Sequence, residues 1–293
     1  MKKSKGFIST VILVIILLIG LSVMLYPTVS DWWNKRVQSR AVAGYQETVA
    51  QMDDGETERL IEEARSFNAK LAGISNPFSE SSKIPEYEDI LNVSGTGIMG
   101  YISIPVISVE LPIYHGTSAE VLNIAAGHLE GSAFPVGGEN THAVISAHRG
   151  LPSAKLFTDL DKLVVGDTFT VTILDEIFTY EVEDILIVEP DQMDMLSIIP
   201  QGDYVTLMTC TPYGINTHRL LIRSHRIDTV YEHTVKVDPD ALKVDPMLVI
   251  PFIAAPLVLM LIIFWFFGSG KKSRTRTRKD YINLASSIKE VGL

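Results

Sequence analysis

The chain contains one cysteine, Cys210. It lies near the end of a strand-like run, Thr206-Leu207-Met208-Thr209-Cys210-Thr211, which Pro212 closes. A lone thiol has no disulfide partner within the chain and is free to react. A thiol attacks as its thiolate, and an ordinary cysteine is mostly protonated near neutral pH. It therefore needs a proton partner and a group that stabilises an oxyanion. Nine positions on stands Arg219, at the head of a second run, Leu220-Leu221-Ile222. Antiparallel pairing of the two runs would bring this arginine beside the thiol. It would then be placed to bind an oxyanion or a substrate carbonyl. The alternative for Arg219 is a solvated edge-strand side chain, and for Cys210 a buried inert thiol.

Seven histidines are available as proton partner: His115, His128, His142, His148, His218, His225 and His233. His148 is the candidate. It follows the strand-like Ala143-Val144-Ile145-Ser146 and precedes the loop-like Arg149-Gly150-Leu151-Pro152. A histidine at such an exit can project into a cleft. His142 is its nearest competitor, and a surface histidine is the plain alternative. One cysteine excludes a thiolate zinc site, no histidine pair has HExxH spacing, and there is no Gly-rich phosphate loop. No metal and no cofactor are expected.

The elements that position these residues follow from texture. Residues 31–71 read as helical, with Leu60, Ala64, Phe67 and Leu71 forming one apolar stripe and Glu58, Glu62 and Arg65 lying opposite. Residues 75–87 break the pattern, with Asn76-Pro77-Phe78-Ser79 and Ile84-Pro85. From Gly97 the chain is rich in β-branched and aromatic residues. The runs are 98–104, 106–113, 143–146, 168–173, 178–188, 204–208 and 220–222. About eight short strands with turn residues between them predict a closed or nearly closed β-barrel over 97–231. Residues 121–128 and 154–160 read as short helical crossings.

Two apolar stretches, 7–26 and 247–267, are each long enough to span a bilayer. Basic residues flank both on the terminal side, at 1–6 and 268–293, which predicts two transmembrane helices with both termini in the cytoplasm and the barrel outside. A cleaved signal peptide is the alternative for the first stretch, and a buried core helix for the second. Residues 232–246 read as a polar linker. The two tails hold 10 of the 25 basic residues and 2 of the 35 acidic ones. The region between them is therefore strongly acidic, which argues against nucleic-acid binding and is compatible with cationic partners such as lysine-bearing surfaces.

Together these motifs resemble the sortases, and within them the class C, pilus-assembling sortases. The resemblance rests on Thr206-Leu207-Met208-Thr209-Cys210 and its continuation Thr211-Pro212-Tyr213-Gly214-Ile215-Asn216-Thr217-His218-Arg219-Leu220-Leu221. It extends to the segment from His148 to Phe157 and to Gly127-His128-Leu129-Glu130-Gly131. It implies a mainly β, eight-stranded barrel preceded by an N-terminal helical region (31–74) and a lid loop (75–87). It implies Cys210 as nucleophile, His148 as acid and base, Arg219 as oxyanion and substrate anchor, and Thr209 and Thr211 as substrate contacts. The implied substrates are pilin precursors that bear a Leu-Pro-x-Thr-Gly-like signal and an acceptor lysine. Members of the class carry an Asp-Pro-aromatic lid. Asn76, Pro77 and Phe78 occupy that place here, and the neutral Asn76 cannot form the charge pair an aspartate could make. A simple proline-containing turn is the alternative to a lid. The competing functions are a housekeeping sortase acting on a cell-wall precursor, a hydrolytic cysteine protease, and a membrane-tethered scaffold with an inert thiol.

Overall fold

The computed structural model describes residues 3–74, 77–78 and 85–229. The second apolar stretch, the linker and basic tail beside it, the start of the first tail and Asn76 lie outside the described residues.

Two long helices precede the barrel: α1 (Lys3–Val49) and α2 (Asp54–Ala72). The expected single helical region is broken at 50–53. Asp53 ends the break by capping α2, its side chain accepting a hydrogen bond from the Glu56 backbone N–H at 2.9 Å. The buried face of α2 holds Thr57, Ile61, Ala64, Phe67, Asn68 and Leu71. Leu60 sits at the edge of this stripe rather than within it. Among the described residues, α1 is the one helix long and apolar enough to cross a membrane.

Eight strands follow: β1 (Ile98–Ile104), β2 (Val109–His115), β3 (Ala126–His128), β4 (Thr141–Ser146), β5 (Thr168–Ile173), β6 (Glu176–Val188), β7 (Asp203–Thr211) and β8 (His218–Ile227). They close into a barrel in the order β1-β2-β3-β4-β7-β8-β6-β5. All neighbours are antiparallel except β2 with β3 and β4 with β7. Alternation puts Val205 and Leu207 of β7, Ala143 and Ile145 of β4, and Leu220 and Ile222 of β8 into one core.

Three expectations are corrected. β2 starts at Val109, not at 106, because Pro105–Ile107 forms a 3₁₀ turn and Ser108 takes a left-handed φ of 53°. Residues 121–128 are not a helical crossing: helix α3 (Ala119–Leu122) is a single turn and Ala126–His128 is a strand. Gly127 lets β3 pack there, since a Cβ at this position would overlap the Gly116 carbonyl. Residues 154–160 are turns, with a 3₁₀ turn only at Leu160–Lys162.

Candidate active site

β7 and β8 pair so that Cys210 stands directly opposite Arg219. Directly opposed residues project from the same face, with Cβ atoms about 4.5–5.5 Å apart. That face is the outer one. Met208 and Cys210 are half-buried on it, while Val205, Leu207 and Thr209 turn inward. The turn between the strands thus does what the nine-residue spacing predicts.

His148 enters from the other side of β7. β4 runs parallel to β7, with Ser146 beside Met208. Past the strand end, the Ala147 N–H donates to Met208 O at 3.2 Å, and Thr209 Oγ1 donates to Ala147 O at 2.8 Å. The next residue is His148, which leaves the sheet at the level of Thr209 and Cys210. Its carbonyl accepts from Phe157 N–H at 3.1 Å, which folds the following loop back. Partial burial lowers the pKa of His148 from its ordinary value and favours the neutral ring. Among the described residues neither the His148 ring nor the Cys210 thiol takes part in a hydrogen bond. Arg219 Nη1 donates to the carbonyl of His218 at 3.2 Å.

His142, the competing histidine, is spent on structure. It is buried, with Nδ1 at 2.8 Å from Ser197 O and Nε2 at 2.7 Å from Thr206 Oγ1. Thr209 and Thr211 are also buried, and they alternate away from the face that carries Cys210. Thr209 holds Ala147, and Thr211 Oγ1 accepts from Arg149 Nη1 at 3.4 Å. Both therefore brace the strands instead of projecting beside Cys210.

Phe78 packs against the buried cluster of Val144, Val188, Leu196 and Leu221, as does the half-buried Met208. Cys210 is the next side chain along the same face of β7, about 7 Å beyond Met208. Pro77 and Phe78 lie against Gly131, whose φ is 89°. A Cβ there would come within 2.9 Å of Pro77 O and Phe78 Cα. Further along, Tyr87 is buried and bonds through its hydroxyl to His128 Nδ1 at 3.0 Å, which fixes the chain as it rejoins the barrel.

Arg149 is a further part of the site that its sequence context conceals. A charged residue beside a loop reads as surface, yet its side chain is only 9% exposed. It forms an ion pair with Asp161, donates to Thr211, and lies 5.9 Å from the centroid of the Tyr213 ring. One guanidinium thereby ties the loop after His148 to the strand and turn after Cys210. A cavity of about 600 Å³ lined by Arg65, Asn68 and Gly137–Thr141 lies at the start of β4, away from these residues.

A sortase-domain family model matches residues 102–227. The chain is 47% identical to sortase C1 from Streptococcus agalactiae, over 65% of this chain and 100% of that one, with a TM-score of 0.61. It is 46% identical to sortase C from Streptococcus pneumoniae, over 65% of this chain and 97% of that one, with a TM-score of 0.59. It is 32% identical to sortase D of Bacillus subtilis over 115 residues, so the match spans 39% of this chain and 55% of that relative. Fold and matches together define a β-barrel transpeptidase. The chain belongs to the sortase family, and its structural neighbours are class C sortases.

Proposed function

We propose that this protein is a membrane-anchored, extracellular transpeptidase that joins pilin subunits. Cys210 passes its proton to His148 and its Sγ attacks the Thr carbonyl of a Leu-Pro-x-Thr-Gly-like signal, while Arg219 receives the oxyanion. His148 protonates the departing Gly amine, leaving a thioester on Cys210. A lysine amine of a second subunit then attacks the thioester, and His148 takes its proton. The product is an isopeptide bond and the free thiol is restored. α1 anchors the chain, and the second apolar stretch, 247–267, makes a second pass with both termini cytoplasmic.

The observation that carries this reading is the cross-strand pair of Cys210 and Arg219, with His148 at the exit of the strand on the other side of β7. The Streptococcus pneumoniae neighbour is described in terms of pilin substrate specificity, which supports pilins as the substrate class. The proposed lid supports the same class. The test is incubation of the purified protein with a candidate pilin. Covalent ladders that survive SDS and vanish with Cys210→Ala are expected. Cleaved pilin without ladders would replace the lysine acceptor with water or a cell-wall precursor.

A further inference from the structure

Following strand directions round the barrel, the C-termini of β1, β4, β6 and β7 and the N-termini of β2, β3, β5 and β8 share one end. Cys210, His148 and Arg219 stand at this end. So do the turn between β1 and β2, with Val106, and the loop before β5, with Val164 and Val165. These three valines are 56%, 60% and 65% exposed. The turn packs beside β5, so they form one region and not scattered points.

α1 reaches the barrel at the same end. Its residues Asp31 to Ser39 face Ser108–Leu111, the start of β2, across a cleft of about 150 Å³. Asp31 Oδ1 accepts from Lys155 N–H at 2.7 Å, and Asn34 Nδ2 donates to Ser153 O at 2.7 Å. Both partners belong to the loop after His148. Four turns later, Tyr45 Oη bonds to Met99 O and Leu174 N–H, each at 2.8 Å, at the opposite barrel end. α1 therefore runs along the barrel and leaves it beside the catalytic residues. It continues without a break into its apolar part, and Trp32 and Trp33 are exposed at the transition. Exposed tryptophans next to an apolar helix suit the membrane interface.

We propose that the catalytic end of the barrel lies on the lipid surface, with Val106, Val164 and Val165 in the headgroup layer beside Trp32 and Trp33. This rests on reading α1 as a membrane anchor. If residues 7–26 fill the hydrocarbon core, Asp31 lies about 8 Å past Tyr26 along the helix. A headgroup layer is about 5–8 Å thick. The loop that Asp31 and Asn34 clamp is then at the membrane boundary, and the site opens to substrates held at that surface.

The test uses the full chain in phosphatidylcholine–phosphatidylglycerol nanodiscs. Cys210→Ala removes the native thiol. Single cysteines then replace Val106, Val164 or Val165, with Leu18→Cys as a control in the apolar part of α1 and Asp175→Cys at the exposed far end of the barrel. Each carries a nitroxide, and collision with oxygen is compared with collision with a water-soluble nickel chelate. The expected result is an oxygen-to-nickel ratio at the three valine sites clearly above that at Asp175→Cys, with the highest ratio at Leu18→Cys. Adding Val164→Asp and Val165→Asp should shift the Val106→Cys label toward water. Valine-site ratios equal to that at Asp175→Cys, with Leu18→Cys still in lipid, would overturn the proposal and leave the anchor intact. Leu18→Cys in water would remove the anchor itself.

Discussion

Cys210 and Arg219 occupy directly opposed positions in the β7–β8 ladder, so the outer sheet face presents thiol and guanidinium side by side. In the proposed mechanism Arg219 serves the oxyanion that forms on the carbonyl under attack. Arg219→Ala should lower kcat/KM for a sorting-signal peptide by about 10²–10³, the loss typical of one oxyanion donor. Arg219→Lys should recover only part, because an ammonium lacks the planar fork. Steady-state kinetics on the peptide checks both. Equal activity of Arg219→Ala and wild type would leave the guanidinium with no part in the reaction.

Arg149 bridges the segments that follow His148 and Cys210 through Asp161, Thr211 and the Tyr213 ring. Its removal should let His148 and Cys210 drift apart while the peptide-binding face stays formed. Displacements of about 1 Å can cost about 10²-fold. Arg149→Ala is therefore expected to lower kcat by roughly that factor with KM little changed, and Asp161→Asn to lower it in the same direction by less. The double variant should be no worse than Arg149→Ala, since the two residues act as a unit. A rise in KM at constant kcat would instead place Arg149 in substrate binding.

Gly131 makes room for Pro77 and Phe78, the proposed lid. Alanine there would meet Pro77 and Phe78 and would also strain a backbone held at positive φ, by about 1–2 kcal/mol. Gly131→Ala should displace the lid without altering its own residues, and Phe78→Ala should remove its apolar anchor. Each 1.4 kcal/mol lost from the closed state raises the open population about tenfold. Both variants should therefore show thiol labelling of Cys210 about tenfold faster, as should deletion of residues 75–79. Unchanged labelling across all three would mean that Phe78 packs against its cluster without gating the thiol.

The strands with strong apolar alternation were legible from the sequence alone: β1 and β5 run over the expected residues. The short β3 was not, because three residues carry too little pattern and the fit of Gly127 depends on Gly116, which is distant in the local periodicity. The helix break was legible in principle, since Asp53 and Glu56 have the spacing of a capping pair, but the apolar stripe masked it. In the site, the facing of Cys210 and Arg219 followed from one short turn between two strands. The bracing by Arg149 and the inward turn of Thr209 and Thr211 depend on contacts between segments 62 residues apart, and no local signal announces them.

His128 lies inside the barrel wall, stacked on Phe134 and bonded to Tyr87 and to Ala133 O. Burial pushes its pKa down to about 4, against 6.5 for an ordinary histidine. The unfolded chain therefore binds a proton before the folded one does, and stability is lost as pH falls from about 6.5 toward 4. At 1.36 kcal/mol per unit, the whole window is worth about 3 kcal/mol. Burial also lowers the pKa of His142, which adds to the loss in the same direction. Thermal unfolding of wild type should show Tm dropping across this window. His128→Gln keeps polar atoms but has nothing to titrate. It should begin with a lower Tm at neutral pH, for lost packing, and then decline less steeply on acidification. Parallel curves for the two proteins would mean that His128 does not set the acid sensitivity, leaving His142 as the next buried histidine to replace.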